Sequence, residues 1–300
     1  MAPDRNSAGI APDFAALLDS VRGIRWPART AVRGGIPGAH TSRMRGTSAE
    51  FTEYRPYRQG DDLGRIDWKL FARSNRAYIR LSNDRAILPT MIALDGSASM
   101  AFPVDTNGKW KLAAQLAIGL AAVARSSADP VGLVIVREGR PVQLQPRTRQ
   151  GVIHEMIRAI EESGPVGSEP RSGAFTAAAR SSGRVVLISD FLGDADDLLT
   201  NAAREVVSAR EVHAIHIVAP EEVEPPREAL VSDPEAPDVR RPLTRDARDV
   251  YRTAFSAWRD RIAHDWSDAG VSYTVAIVGE ESPDHLIRRI AAPRGVAATA

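Results

Sequence analysis

The sequence contains no cysteine among its 300 residues. Disulfide bonds, zinc–thiolate sites and cysteine nucleophiles are therefore excluded. The chain also has no apolar run of the roughly 20 residues that a membrane-spanning helix needs, and its N-terminus lacks the basic-then-apolar order of a signal peptide. We therefore expect a cytoplasmic protein that does not insert into a membrane.

Lysine is scarce as well, and neither sign of charge is in excess. Lys69, Lys109 and Lys111 are the only lysines among 39 basic residues, and the formal net charge is +1. The protein as a whole has no strong positive field that would attract nucleic acid or an anionic membrane. Arginines are frequent near the N-terminus but have few aromatic residues among them, which is weak support for nucleic-acid binding. We expect no nucleic-acid partner.

The pattern of the chain changes near residue 86, which predicts a division into residues 1–85 and 86–300. The first region is rich in arginine and interrupted by glycine, so we predict a small accessory segment with a helix at 13–22 and a strand at 78–81. In the second region apolar strands alternate with helices, which is typical of an α/β domain with a doubly wound, mainly parallel sheet. The predicted strands cover 90–94, 131–136, 142–144, 184–189, 212–218 and 273–278, and the predicted helices cover 109–126, 151–162, 172–180, 195–208, 246–269 and 283–290.

Carboxylates and hydroxyls follow two of these strands at the points where they end. Asp95-Gly96-Ser97-Ala98-Ser99 follows the first strand of the region, and Ser189-Asp190 follows the fourth. Ligands of open α/β sheets bind beyond the carboxyl ends of the strands, so Asp95 and Asp190 meet if these strands are neighbours. Such oxygen ligands suit Mg²⁺, which prefers octahedral coordination and keeps several waters. The alternative is that the loop serves only as a turn or a helix cap, since Asp and Ser are common in both.

The Asp-x-Ser-x-Ser loop resembles the metal-ion-dependent adhesion site of von Willebrand factor A domains, and an upstream stretch resembles the bacterial family called domain of unknown function 58. That stretch comprises Glu50-Phe51, Arg55-x-Tyr57, Gly60-Asp61-Asp62, Arg65-Ile66-Asp67-Trp68-Lys69 and Ala72-Arg73, and the similarity continues through Pro146-Arg147, Ile188-Ser189-Asp190-Phe191 and Asp233 with Glu235. The resemblance covers roughly residues 35–290. It implies a von Willebrand factor A-like fold of the Rossmann type.

The resemblance also implies a ligand set and a partner. Ser97 and Ser99 would bind the metal directly, whereas Asp95 and Asp190 would hold it through water. The expected ion is Mg²⁺, with Mn²⁺ or Ca²⁺ as alternatives. A threonine from an intervening loop is expected as a further ligand, for which Ser168 is the best match and Thr176 a weaker one. Proteins similar to this family are thought to act with MoxR-type AAA+ ATPases in the assembly or activation of other proteins.

These expectations predict a magnesium-dependent protein-interaction module that has no catalytic residues of its own. It would be an adaptor or co-chaperone that works with a MoxR-type ATPase and binds a client protein through a carboxylate at the metal. The alternative is a metal-dependent hydrolase in which Asp95 and Asp190 hold a water-activating ion. The sequence shows no general base beside the site and no second carboxylate cluster, so we favour the interaction module.

The charged residues of the upstream stretch allow two interpretations. They are Asp61, Asp62, Arg65, Asp67, Lys69 and Arg73, with Trp68 among them. They could form a docking surface for the ATPase, or an ion-pair network that fastens the N-terminal segment to the sheet with Trp68 as its buried anchor. Because the acidic and basic residues interleave, we favour the structural interpretation.

Overall fold

A computed structural model describes residues 13–28, 37–41, 51–59, 66–82, 85–139, 141–168, 170–226, 229–233 and 236–292. The elements are, in chain order, α1 (Phe14–Ser20), β1 (Pro37–Thr41), β2 (Phe51–Pro56), α2 (Trp68–Ser74), β3 (Tyr78–Ser82), β4 (Arg85–Ala86), β5 (Thr90–Asp95), α3 (Gly108–Ser126), β6 (Val131–Val136), β7 (Val142–Arg147), α4 (Val152–Glu161), α5 (Ser172–Arg180), β8 (Arg184–Ser189), α6 (Ala195–Val207), β9 (Glu211–Val218), α7 (Pro220–Val223), β10 (Ala229–Asp233), β11 (Ala236–Leu243), α8 (Arg245–Asp268), β12 (Ser272–Ile277) and α9 (Pro283–Ala291). A short 3-10 turn, Ala98–Ala101, follows β5.

Six strands form the central sheet in the order β12-β9-β8-β5-β6-β7. All neighbours pair in parallel except β7, which runs antiparallel to β6 at one edge. Every residue of β5, β6, β8 and β9 is buried, as expected for apolar strands that are covered on both faces. The predicted α/β class with a mainly parallel, doubly wound sheet is therefore confirmed. The chain reverses its direction of winding between β5 and β8, which lie side by side.

Alternate side chains of the strands point to two separate cores. On one face Ile92 and Leu94 pack with α3, α4 and α9, whereas on the other Met91 and Ala93 pack with α5, α6 and α8. This is the period-two alternation of a strand covered by helices on both sides. Within the described part of the chain, no helix combines the length and the apolar character needed to cross a membrane.

Helix α3 is the most deeply buried helix of the first core and lies close to α9. A Cβ atom added at Gly119 would fall 2.2 Å from the Cδ1 atom of Ile287, so glycine at this position allows the close approach of the two helices. Helix α1 covers the same core with Phe14 and Leu17, in agreement with the short helix predicted at 13–22. Helix α1 thus packs against α3 and α9 of the main domain, and the division at residue 86 stays a prediction.

A buried arginine joins that segment to the amino end of the sheet. The Arg184 guanidinium lies 4.2 Å from the centre of the Trp26 ring, and it donates to the carbonyls of Trp26 (3.3 Å) and Pro27 (3.0 Å). Its Nε atom donates to Oε2 of Glu211 at 2.9 Å. Burial by itself would raise the pKa of Glu211, but the hydrogen bond from His213 and the charge of Arg184 lower it to about 2.

The strands β2 and β3 pair antiparallel, and α2 lies between them in the chain. Asp67 caps this helix, since its Oδ1 atom accepts a hydrogen bond from the Leu70 amide at 2.9 Å. Trp68, however, is 61% exposed, and α2 has no buried residue. The prediction that Trp68 is a buried anchor is therefore wrong: the residues that are buried next to α2 are Ile66 and Ile79.

The other charged residues of the upstream stretch divide into two groups. Lys69 and Arg73 are exposed on α2, and neither makes an ion pair with another described residue. Asp61, Asp62 and Arg65 lie outside the described residues, so the ion-pair network predicted for them stays a prediction.

Candidate divalent-cation site

The structure brings together the four residues that the sequence placed at two strand ends. Asp95 ends β5, and Asp190 directly follows the neighbouring strand β8, where Leu94 pairs with Ile188. Asp95, Ser97, Ser99 and Asp190 are all buried. We call these four residues the edge site. It lies at the reversal of winding, where open α/β sheets bind their ligands.

A close backbone contact explains the glycine in this loop. The Gly96 amide donates to the Val136 carbonyl at 2.7 Å, and a Cβ atom at position 96 would lie 3.0 Å from that oxygen and 3.1 Å from a methyl carbon of Ile135. Any side chain here would push the loop away from β6. Glycine therefore lets the loop carrying the two serines lie directly against the end of the sheet.

Asp95 stabilises the turn, whereas the two serine hydroxyls form a hydrogen bond with each other and Ser97 also accepts from Nη1 of Arg171 at 3.5 Å. Oδ1 of Asp95 accepts from the Ser97 amide at 2.9 Å, which closes the turn in the manner usual for aspartate. Ser97 stands at the start of the 3-10 turn, yet its side chain makes no capping hydrogen bond. Its Oγ atom lies instead 3.0 Å from Oγ of Ser99. The interpretation of the loop as a simple helix cap accounts for Asp95 but not for the serines.

The spacing of the two hydroxyls fits an octahedral magnesium ion. Two adjacent ligands at 2.0–2.1 Å from such an ion are about 2.9 Å apart, close to the 3.0 Å between the Ser97 and Ser99 oxygens. Ser99 also donates a side-chain hydrogen bond to Asp190, which directs its hydrogen toward the carboxylate. Among the described residues, no group of three or more His, Asp and Glu side chains converges to hold a metal. A cation here would depend on hydroxyls and water, as in the predicted ligand set.

Two buried cationic side chains, which were not predicted from the sequence, contact the edge-site carboxylates. The first is Lys109, at the start of α3, whose side chain is fully buried. Its Nζ atom lies 2.7 Å from Oδ2 of Asp190 and 2.8 Å from Oε1 of Glu222. Burial by itself would lower the pKa of Lys109, but the two carboxylates outweigh it and raise the pKa. The scarcity of lysine in an arginine-rich chain was the one signal in the sequence that pointed to this residue.

The second cation is Arg171, which immediately precedes α5. Its Nη1 atom donates to Oδ2 of Asp95 at 3.0 Å, and its Nε atom donates to Oδ1 of Asp194 at 2.7 Å. It also donates to the Leu192 carbonyl through Nη2 and to Asp194 through its own amide. These contacts fix the guanidinium between the ends of β5 and β8. Nothing in the sequence distinguished Arg171 from the other arginines.

The buried and partly buried carboxylates around the edge site outnumber the cationic side chains that contact them. Four carboxylates (Asp95, Asp190, Asp194 and Glu222) contact two cations, which leaves two net negative charges when all are ionised. Burial and the neighbouring Asp190 charge raise the pKa of Asp95, which Arg171 offsets only in part. The pKa of Asp190 is lowered, because Lys109 outweighs the effect of burial. One divalent cation would neutralise the site and relieve the repulsion between the two aspartates.

Ser168, the predicted counterpart of the threonine ligand, lies beside a loop whose backbone contacts the edge site. The loop before Ser168 contacts the edge site through its backbone: the Val166 amide donates to the Gly96 carbonyl at 2.7 Å, and the Ala98 amide donates to the Gly167 carbonyl at 2.8 Å. Ser168 follows directly and is exposed. Thr176 is turned away, because its hydroxyl donates to the Ser172 carbonyl within α5 at 2.9 Å. Ser168 stays a predicted ligand.

The surroundings of the carboxylates do not favour hydrolytic chemistry. Asp95 and Asp190 each accept a hydrogen bond from a buried cation, so neither is arranged to take a proton from water. The neighbouring His216 is buried, and burial lowers its pKa to about 3. Its Nδ1 atom lies 2.5 Å from the Tyr273 hydroxyl. None of these described groups is placed as a general base for a water at the edge site.

A doubly wound sheet with hydroxyls and carboxylates at its reversal of winding defines this chain as an α/β domain. The chain belongs to the family described as Protein of unknown function DUF58, whose model matches residues 53–261. The resemblance seen in the upstream stretch is thereby confirmed. The chain is also 26% identical over 260 residues to the uncharacterized proteins Rv1480 of Mycobacterium tuberculosis and Mb1516 of Mycobacterium bovis, a match that covers 84% of this chain and 81% of each relative.

Solved structures with a similar arrangement include two Bacteroides proteins and one von Willebrand factor A domain. An aerotolerance-related membrane protein from Bacteroides fragilis is 18% identical, with a TM-score of 0.45 over 68% of this chain and 96% of that one. BatB from Bacteroides thetaiotaomicron is 18% identical, with a TM-score of 0.44 over 68% and 97%. The VWA domain of SpRpn10 is 14% identical, with a TM-score of 0.43 over 71% and 100%. None of these similarities assigns a function to this chain.

Proposed function

We propose that this protein is an interaction module that binds a divalent cation at the edge site and recognises a partner protein through that cation. The observation that carries the proposal is the pair of Ser97 and Ser99 hydroxyls, 3.0 Å apart and without a capping role, between two buried aspartates. The serines would bind the ion directly, and Asp95 and Asp190 would hold its waters. Mg²⁺ is the proposed ion, with Mn²⁺ and Ca²⁺ as alternatives, because hard cations prefer oxygen ligands.

The loops around the edge site support a role in protein binding. Val104, Val166 and Leu192 lie on the three loops that carry or contact the site, and they are 76%, 38% and 36% exposed. Exposed apolar side chains on these loops would exclude water from the contact when a partner binds. A partner carboxylate that completes the coordination of the cation would then be held in a shielded environment, where charge-assisted contacts are strong.

We propose a MoxR-type AAA+ ATPase as the machine with which this module works, and a protein that this ATPase assembles or activates as the client. Support for this comes from the resemblance to the family. The given sequence has no nucleotide-binding loop, so the partner would hydrolyse the nucleotide. The edge site would bind the carboxylate, and the ATPase would supply the energy of nucleotide hydrolysis. The cytoplasmic location stays a prediction from the sequence.

Calorimetric titration of the full chain with Mg²⁺ tests the cation site, with Ser97→Ala and Ser99→Ala as variants. Ser208→Ala, at an exposed serine that directly follows α6, is the control. We expect saturable binding in the wild type and the control, and its loss in both site variants. Capture of the purified MoxR-type ATPase of the same genome, and of its client, with Mg²⁺ or with EDTA then tests the partner. Binding that is the same in EDTA and in Ser97→Ala would refute the proposed mechanism.

A further inference from the structure

Helix α7 is joined to the edge site through the buried side chain of Lys109. The Nζ atom of Lys109 lies 2.7 Å from Oδ2 of Asp190 and 2.8 Å from Oε1 of Glu222, which belongs to α7. The Lys109 side chain is fully buried, and that of Glu222 is 14% exposed. The Lys109 amide donates to the Phe102 carbonyl at 3.1 Å, which fixes the start of α3. One ammonium group thus bridges a carboxylate of the edge site and a carboxylate of another element.

Polar contacts hold α7 in place. The helix has four residues, and none of them is buried. The other carboxylate oxygen of Glu222 accepts from the Ala219 amide at 2.7 Å. Glu224, which directly follows α7, pairs with Arg248 and, at 3.0 Å, with Nε of Arg252, both on α8. Because α7 contributes no buried residue to either core, its position depends on these charges.

The first half of α8 also lacks a buried anchor. Residues 245–258 include no buried residue, whereas Ile262 and Trp266 in the second half are buried. Burial and the charge of Glu222 raise the pKa of Tyr251 to about 12, so this part of α8 lies close to α7. Segments with few buried apolar contacts open locally at a lower free energy than the core does. We therefore expect α7 and residues 245–258 to open more readily than the central sheet.

The charge of Glu222 favours a cation at the edge site. Lys109 opposes a divalent ion there, because both are positive, and Glu222 offsets that opposition while it contacts the ammonium. Movement of α7 away from Lys109 would leave the edge site with one net negative charge in place of two. A docked α7 would therefore raise the affinity for the cation. Coupling between two binding equilibria is reciprocal, so a bound cation would stabilise the docked α7 by the same factor.

We propose that the contact between Lys109 and Glu222 couples the edge site to α7 and to residues 245–258 of α8, so that cation binding stabilises both segments against local opening. Glu222 is then a positioning residue and no ligand of the cation. This proposal rests on the proposed cation-binding function and adds regulation to it. The surface beside the edge site becomes ordered when the cation binds, which lowers the entropic cost of binding a partner there.

Calorimetric titration of the full chain with Mg²⁺ measures one side of this coupling, in the wild type, Glu222→Gln and Glu221→Gln. Glutamine keeps the shape of Glu222 and can still accept from the Ala219 amide, but it removes the charge opposite Lys109. We expect Glu222→Gln to bind Mg²⁺ at least about fivefold more weakly than the wild type, the lower limit of typical coupling between sites. Glu221→Gln removes an equal charge from the neighbouring, exposed position of α7. As the matched control, it should keep its Kd within about twofold of the wild-type value, because solvent screens exposed charges.

Amide hydrogen exchange in EDTA and in saturating Mg²⁺ measures the other side. In the wild type, Mg²⁺ should slow the exchange of α7 and of residues 245–258 by about the factor that Glu222→Gln costs in affinity, at least about fivefold. In Glu222→Gln, Mg²⁺ at a concentration that saturates the variant should leave this exchange unchanged. A role of Glu222 in stability alone would instead speed the exchange equally with and without Mg²⁺, and it would not alter the affinity for Mg²⁺.

Three results would overturn this proposal alone. They are Mg²⁺ binding that leaves the exchange of α7 and residues 245–258 unchanged, equal Mg²⁺ affinity in the wild type and Glu222→Gln, and an equal loss of affinity in Glu221→Gln and Glu222→Gln. The first needs no variant, so it decides the proposal even if Glu222→Gln does not fold. Absence of Mg²⁺, Mn²⁺ and Ca²⁺ binding in the wild type would refute the cation site itself, and the coupling with it.

Discussion

Replacement of Lys109 by methionine tests whether the edge site depends on its internal cations. Methionine keeps the length and the apolar stem of the side chain but removes the ammonium group. The change deletes the contacts of 2.7 Å to Asp190 and 2.8 Å to Glu222, and it leaves a buried carboxylate without its counter-charge. Removal of one partner from a buried ion pair costs about 3–5 kcal/mol of unfolding free energy. We expect a value near the lower limit, about 3 kcal/mol, since Asp190 retains the Leu192 amide as a donor.

Urea unfolding followed by circular dichroism measures this loss, and two further variants make the result specific. Lys111→Met, two positions along the same helix and without an ion pair among the described residues, is the matched control and should lose less than about 0.5 kcal/mol. In the double variant Lys109→Met with Asp190→Asn, both charges are gone. It should regain part of the stability, because the penalty comes from the unpaired charge. A loss below about 1 kcal/mol in Lys109→Met, the range of exposed pairs, would refute the reasoning.

The same variant links Lys109 to the proposed cation. Without the ammonium the site has three net negative charges in place of two, so it should attract a divalent ion more strongly. Binding to the folded state raises the unfolding free energy in proportion to the logarithm of ligand concentration over Kd. Mg²⁺ should therefore stabilise Lys109→Met more than it stabilises the wild type. Equal increments in both proteins would show that the cation does not share the carboxylates with Lys109.

Three more predictions concern other parts of the fold. The pKa of His216 is about 3 in the folded protein, against an ordinary value of 6.5. Below pH 6.5 the unfolded chain therefore takes up a proton that the folded chain does not, and stability should fall between pH 6.5 and 3 by up to about 1.4 kcal/mol per pH unit. Urea titrations at pH 7 and 5 measure this fall, which should be smaller in His216→Phe. The buried partners of Glu211 lower its pKa to about 2. Its contribution to stability is therefore complete above its ordinary pKa of 4.5 and is lost as the pH falls toward 2, so Glu211→Gln should reduce the dependence of stability on pH in this range. Arg184→Leu should cost about 3–5 kcal/mol of unfolding free energy at neutral pH. Gly96→Ala should cost about 1–3 kcal/mol through its contact with the β6 backbone and weaken Mg²⁺ binding in calorimetry, whereas unchanged binding would show that the loop tolerates displacement.

The sequence alone determined the elements of the main sheet. The strands predicted at 131–136 and 184–189 and the helix at 172–180 match β6, β8 and α5 residue for residue, and the other predicted boundaries in this region differ by no more than a few residues. Burial on both faces makes such strands continuously apolar, so the local sequence is enough to predict their positions. The edge site was predictable for a related reason: residues that end neighbouring parallel strands must meet at the same edge, which brought Asp95 and Asp190 together.

Only the tertiary structure decided what surrounds those carboxylates and what α2 exposes. Lys109 reaches Asp190 across 81 positions of the chain, and Arg171 reaches Asp95 across 76, separations for which a single sequence contains no periodic signal. The exposure of Trp68 could not be predicted for the same reason, since a tryptophan on a two-turn helix is buried or exposed according to what packs over it. Propensity and periodicity act over a few residues, whereas the partner of a charge or an aromatic ring is chosen by the packing of the whole fold.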